Sequence, residues 1–212
     1  MKITIVYDNE VYRKGLKPDW GFSCFIEAYG KKLLFDTGAN GLILLENMKV
    51  LDINPASVEE IFISHDHYDH VGGLSDFLKI NPVRVYVPSS YREQGHAKDI
   101  IKIKETVEIH EKFYSTGELE NIEQSLAIKT EKGLVIIVGC SHPGVGNILK
   151  AASQYGKPNA IIGGLHGFED FDLIKDLELV CPTHCTQFKS EIKSLYPEEY
   201  IEGGAGKIIE IV

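Results

Sequence analysis

EIFISHDHYDHVGG, residues 60–73, decides the reading of this chain. It opens on a short apolar run, Ile61, Phe62 and Ile63, with the composition of a buried strand. Directly after it come His65, His67, Asp69 and His70, three imidazoles and a carboxylate within six residues. Imidazole and carboxylate together suit a borderline-soft divalent cation, and a loop fed by a strand presents them from a fixed base. His65 and His67 lie two positions apart and point the same way on extended backbone, whereas Asp69 and His70 must turn to serve a different position. Two adjacent metal sites are therefore expected. Gly72 and Gly73 let the chain pass close to them.

Toward the N-terminus, residues 2–7 read as a strand, and residues 8–20, with Gly15 and Pro18 amid charges, as an exposed loop. Arg13, Lys14 and Lys17 make that loop locally basic, which fits a solvated loop first and, as the sharper alternative, a lip that meets an anionic substrate. Residues 22–29 and 32–35 form a hairpin turning at Gly30 and Lys31. Its second strand runs into Asp36, and a carboxylate at a strand end can orient a ligand histidine through the second ring nitrogen. Residues 41–50 carry Leu42, Leu45 and Met48 at helical spacing.

Beyond the histidine loop, residues 74–80 read as a helix and 83–87 as a buried strand. Residues 89–117 fit either a strand pair or an irregular cover; within them His96 and His110 lack ligand-spaced neighbours and read as surface histidines. Residues 125–130 and 134–138 form a second hairpin. Three strands follow in register: 134–138 leads to His142, 158–162 to His166, and 177–180 to His184, with helices at 147–155 and 186–195 and a closing strand at 207–212. Three successive strands ending near a histidine place all three on one sheet edge. Cys140 and Cys185, close to two of them, read as small buried apolar residues rather than metal or redox groups. The strand–helix alternation indicates an α/β layered architecture.

With 212 residues, 43% hydrophobic and 25% charged, the chain is long enough for one domain spanning 1–212. A net charge of −9 and a pI near 5.4 oppose a phosphate-tracking face, so nucleic acid is not expected as a partner. A metal site is locally positive whatever the total, so a small anionic substrate remains compatible. No apolar stretch approaches the ~18 residues of a membrane span, and no membrane partner is expected. The N-terminus reads as a first strand rather than a targeting segment, and the four cysteines have no disulfide-framework spacing, so a cytoplasmic protein with reduced thiols is expected. A homo-oligomer is compatible with all of this.

FDTGANG, SHDHYDHVGGL, GCSHPGVGNIL, GGLHG and PTHC together resemble the metallo-β-lactamase superfamily along nearly the whole chain. The resemblance implies an αββα sandwich, mixed sheets with helices on both outer faces, and a metal centre on the sheet edges. More narrowly, these motifs look like a subgroup that includes archaeal dihydropterin-methyl-aminobenzene ribosylphosphate synthases of methanopterin synthesis. By resemblance, His65, His67 and His142 hold one metal, and Asp69, His70 and His184 the other. Asp36 supports the ligands from behind. The superfamily usually bridges the metals with an Asp where this chain has His166. A neutral imidazole cannot bridge as a carboxylate does, so His166 binds one metal, contacts substrate or leaves the second metal site weak.

The function expected is a metal-dependent hydrolase, using a metal-activated water on a small anionic substrate. One or two Zn2+ ions are the expected cofactor, with Fe or Mn as alternatives. Asp69 would orient the water as well as bind metal, and His166 would donate to developing negative charge, which makes these two the catalytic candidates. The synthase-like alternative keeps the same ligands but joins a pterin to an aminobenzene ribosylphosphate. A third reading is an iron-binding redox or sensor module. The di-iron flavoproteins of the superfamily carry Glu where this chain has His67, which weighs against it.

Overall fold

Residues 134–138 are apolar at every position, so this strand can be buried on both faces only if another layer covers each side. Val135 and Ile137 pack into one core, Leu134, Ile136 and Val138 into another. Phe62 and Ile61 divide in the same way in the first half of the chain. Three apolar layers follow from that division, one between two sheets and one outside each.

The structure, a computed structural model, describes residues 1–92 and 97–211. Its first strands are β1 (Lys2–Tyr7), β2 (Ser23–Ala28), β3 (Lys31–Phe35), β4 (Glu60–Phe62), β5 (Arg84–Pro88) and β6 (Asp99–Ile103). Next come β7 (Val107–His110), β8 (Phe113–Ser115), β9 (Leu126–Lys129), β10 (Leu134–Val138), β11 (Pro158–Gly164) and β12 (Leu179–Thr183), with β13 (Ile208–Glu210) last. One sheet runs β13-β1-β2-β3-β4-β5-β6 and the other β12-β11-β10-β9-β8-β7. Helices α1 (Gly41–Val50), α2 (Tyr68–Val71) and α3 (Leu74–Ile80) follow strands of the first sheet; α4 (Val145–Ala152) and α5 (Lys189–Leu195) follow strands of the second.

Between the sheets, Phe22, Phe35 and Phe62 meet Phe113, Ile137 and Ile162, and the Phe35 and Phe62 rings stack at 5.6 Å. Leu44, Met48, Phe77 and Leu78 of α1 and α3 cover Ile61 and Ile63 on one outer face. Ile148, Leu149 and Ile192 of α4 and α5 cover Ile136 and Ile161 on the other. This is the expected αββα layering, an α/β fold of two mixed sheets. Among the described residues no helix is long and apolar enough to cross a membrane.

Strand direction then positions the site. β3, β4, β5 and β6 are mutually parallel, as are β10, β11 and β12. β1 runs the same way as β3, because both pair antiparallel with β2. The C-terminal ends of β1, β3 and β4 therefore share one edge, and those of β10, β11 and β12 share one edge of the facing sheet. In open α/β sheets that edge is where ligands bind.

Several sequence readings need correction. The first hairpin turns at Tyr29 and Gly30, both at positive φ, rather than at Gly30 and Lys31. A two-residue turn of this kind requires both central residues in the left-handed region. Within residues 89–117 the strand-pair alternative holds, β7 pairing antiparallel with β8, and β6 in addition extends the first sheet in parallel. β12 runs to Thr183, carrying Pro182 on an edge strand where a missing N–H is tolerated, so His184 follows the strand end directly. Helix α5 starts at Lys189 and not at residue 186, because Thr186 Oγ1 is used to accept from Leu165 N–H and donate to Thr183 O. His110 is not a free surface group but hydrogen-bonds Glu60, at the opposite strand end from the histidine loop. His96 and Val212 lie outside the described residues.

Candidate metal centre

The centre begins with Asp36, fully buried after β3. Its Oδ1 accepts from Ser64 N–H at 2.7 Å, and its Oδ2 accepts from Ser64 Oγ–H and from His70 Nδ1–H, each at 2.7 Å. With its hydrogen given to Asp36, Ser64 Oγ is left to accept from His65 Nδ1–H at 2.9 Å. One carboxylate thus fixes the tautomer of two histidines, and both Nε2 lone pairs turn inward. Gly139 is required beside this pair, since a Cβ there would come within 2.2 Å of Ser64 Oγ.

His142 is placed by a residue that the sequence reading missed. Glu123, fully buried just before β9, accepts from Gly139 and Cys140 N–H at 3.0 Å, from Ser141 N–H at 3.1 Å, and from His142 N–H at 2.9 Å. Burial pushes its carboxyl up, and the amides of His142, Ser141 and Cys140 together with the nearby His70 oppose this. An acidic residue at the start of a strand carries no distinctive sequence signal.

His184 is placed by the segment expected to be an exposed loop. Asp8 is fully buried, its pKa raised by burial to about 6, and its Oδ1 accepts from His184 N–H at 3.1 Å. Asn9 Oδ1 accepts from His184 Nδ1–H at 2.9 Å while its Nδ2 donates to His184 O at 3.1 Å. The Trp20 ring stands edge-on to His184 at 5.0 Å. Asp36, Ser141, His166 and His184 all adopt positive φ, between 47° and 61°. Such backbone costs about 1 kcal/mol or more per non-glycine residue, and here it clusters where strands enter the site.

These supports bring two sets of donor atoms together. Asp69, His70, Cys140 and His184 form one set, and His65, Cys140 and His142 the other, with the atoms of each within 4.8 Å of one another. Asp69 Oδ2 lies 3.2 Å from His184 Nε2 and 3.8 Å from His70 Nε2. His67 is exposed and outside both sets, with its ring 4.6 Å from that of His65 and 4.9 Å from that of His142. His166 is also exposed and outside them, its ring 5.2 Å from that of His142. Cys140, read from sequence as a small apolar residue, instead sits among the polar donors.

The electrostatics match a site arranged for a cation. Burial, then the neighbouring imidazoles, hold His65 well below its ordinary value and His142 down to about 4, so both stay neutral. Burial alone would raise Asp69, but the neighbouring His184 and His70 imidazoles hold it at about 2. Burial pulls His70 down, and the Asp36 carboxylate more than offsets this. Cys140 is pushed up by its hydrogen bond with Cys185 and by burial, while that same contact lowers Cys185 to about 5. The Nε2 atoms of His65, His142 and His184 are buried with no hydrogen-bond partner. Three unpartnered buried imidazole nitrogens are costly unless something satisfies them, and a divalent cation fits this donor set. Beside the donors a cavity of about 460 Å³ is lined by Asp66, His67, Tyr68, Ser90, Arg92 and Asn121.

Residues 19–146 match the sequence model of the metallo-beta-lactamase superfamily. The chain belongs to that superfamily. Within and around this metallo-β-lactamase core it is 29% identical to 7,8-dihydropterin-6-methyl-4-(beta-D-ribofuranosyl)-aminobenzene-5'-phosphate synthase of Methanocaldococcus jannaschii, across 98% of this chain and 95% of that protein. Tm1679, a metal-dependent hydrolase of the beta-lactamase superfamily, superposes with a TM-score of 0.81 at 24% identity, covering 100% of this chain and 99% of its own. Zn2+-bound PqqB from Methylobacterium extorquens has the same fold, with a TM-score of 0.65 at 12% identity and full coverage of both chains.

Proposed function

We propose that the protein is a metal-dependent hydrolase acting on a small anionic substrate. The observation that carries this reading is the convergence of three unpartnered buried Nε2 atoms with the Asp69 carboxylate at the sheet edge. His65, His67 and His142 would hold one ion, and Asp69, His70 and His184 the other. His67 is supported in this role by its ring, 4.6 Å from that of His65 and 4.9 Å from that of His142. The Zn2+-bound state of PqqB supports zinc as the ion. A zinc-type cation supplies Lewis acidity, lowering the pKa of water toward ~7 and polarising a substrate oxygen.

The chain's own residues do the rest. Asp69, ionised well below neutrality, can accept a proton-bearing water in hydrogen bond and orient it. His166, exposed at the end of β11, faces the centre from the His142 side and can donate to an oxygen gaining charge. Arg92 on the cavity wall offers a fixed positive charge to an anionic group. Trp20 and Tyr68, both substantially exposed, flank the donors, Trp20 against His184 and Tyr68 on the cavity wall.

A second reading is favoured by one observation, the 29% identity over nearly the full length to a synthase whose product name includes a 5'-phosphate. The same donors would then position a pterin and an aminobenzene ribosylphosphate for joining. Metal-loaded protein offered phosphoesters, lactones and pterins separates the two. Turnover of a phosphoester or lactone that vanishes in His65→Ala supports hydrolysis. Metal retained with no hydrolysis of any of them contradicts it, and condensation of the pterin pair would transfer the assignment to the synthase.

A further inference from the structure

Cys140 occupies a place that the ligand partition above leaves unused. Its Sγ belongs to both donor sets, close to Asp69, His70 and His184 on one side and to His65 and His142 on the other. The Sγ lies 3.2 Å from His70 Nε2. Two donors on one tetrahedral ion, with bonds of ~2.0 Å to nitrogen and ~2.3 Å to sulfur, are separated by roughly 3.5 Å. Three buried Nε2 atoms without partners, those of His65, His142 and His184, surround it.

The backbone around Cys140 is clamped. Its N–H and those of Gly139, Ser141 and His142 all donate to Glu123, and Ser141 at φ 61° turns the chain between Cys140 and His142. That turn lets two residues of one loop reach the same centre from neighbouring positions. A small apolar side chain would fill the volume without this arrangement.

Charge supplies the second argument. Asp69 is the one carboxylate in the two donor sets, and every other member except Cys140 is an imidazole. Two divalent cations a few ångströms apart repel strongly unless an anion lies between them. His166 at the end of β11 is exposed and outside both sets, so it does not fill that place.

We propose that Cys140 binds as a thiolate shared between the two metal positions. The proposal rests on the metal-centre reading above. On binding, the cation would take the sulfur lone pair and the thiol proton would leave to water. Cys185 serves as the neighbour and not as the ligand, since its thiol lies outside both donor sets.

Cobalt(II) substitution tests this without an activity assay. Wild-type protein, stripped with a chelator and loaded with Co2+ to a stoichiometry set by elemental analysis, should show an intense near-ultraviolet thiolate-to-cobalt charge-transfer band. The band should disappear in Cys140→Ser and persist in Cys185→Ser. Cobalt bound by wild type without the band overturns the thiolate, as does loss of the band in Cys185→Ser alone. Failure of wild type to bind any cobalt overturns the metal centre itself. Because the wild-type spectrum is decisive, the test survives a Cys140→Ser variant that does not fold.

Discussion

Asp36 Oδ2 accepts a 2.7 Å hydrogen bond from His70 Nδ1 in a setting where neither side chain is exposed. The carboxylate comes from the end of β3 and the imidazole from α2, 34 residues later. Through Ser64 the same carboxylate also orients His65, so a single residue outside both donor sets controls a nitrogen in each.

Asp36→Asn should weaken metal binding by about 10–100-fold, the usual effect of losing such a support. An amide nitrogen facing His70 Nδ1–H is two donors in opposition, which drives the ring proton to Nε2 and blocks that lone pair. Competition with a chromophoric chelator measures it. Unchanged affinity would mean that the His70 tautomer does not depend on Asp36.

Glu123→Gln should destabilise the metal-free protein by about 1–3 kcal/mol in urea unfolding, because one amide group replaces an oxygen that accepts from buried backbone N–H. The same variant should loosen His142 and lower metal affinity. A variant as stable as wild type would show that the four amides find other partners.

His166 and His65 should behave differently. His166→Ala is expected to leave metal content at the wild-type level while reducing turnover, since His166 stands outside both donor sets. His65→Ala should lose metal. Loss of an ion in His166→Ala, read by elemental analysis, would make His166 a ligand.

Acid should destabilise the metal-free protein through its buried neutral histidines. His142 is held at about 4 against an ordinary 6.5. Between those values the unfolded chain binds the extra proton and the folded chain does not, so stability is lost as pH falls through this window. His65 has the same sign. Asp8, raised from 3.8 to about 6, acts in the opposite direction, its folded form keeping a proton that the unfolded chain has released. Removing the first contribution in His142→Gln should reduce the drop in denaturation midpoint between about pH 7 and about pH 5. An equal drop in both proteins would contradict it.

The layered fold was readable because period and direction are written locally. The all-apolar run 134–138 demands cover on both faces, and strands separated by helices must run parallel, which carries their histidines to one edge. The HDHYDH loop declared its chemistry by residue type and spacing. Asp8, Asn9 and Glu123 did not, since their roles arise from pairings 176, 175 and 19 residues away in sequence and a lone acid or amide has no periodic signature. Cys140 was hidden for another reason: a buried thiol is usually apolar filler, and only the convergence of five other donors around its sulfur distinguishes it here. The loop glycines also mean something different from what their flexibility suggests. Gly72 is there because a Cβ would come within 2.2 Å of Ala39 O, a packing requirement and not an opening onto the centre.

The central claim is that these residues form a two-ion centre, and counting ions on the folded chain tests it most directly. Metal-stripped protein titrated with Zn2+ and weighed intact under native conditions should carry two ions per chain, falling in His65→Ala. No bound zinc after metal-supplemented refolding would contradict the centre, and a limit of one ion would contradict its division into two sites.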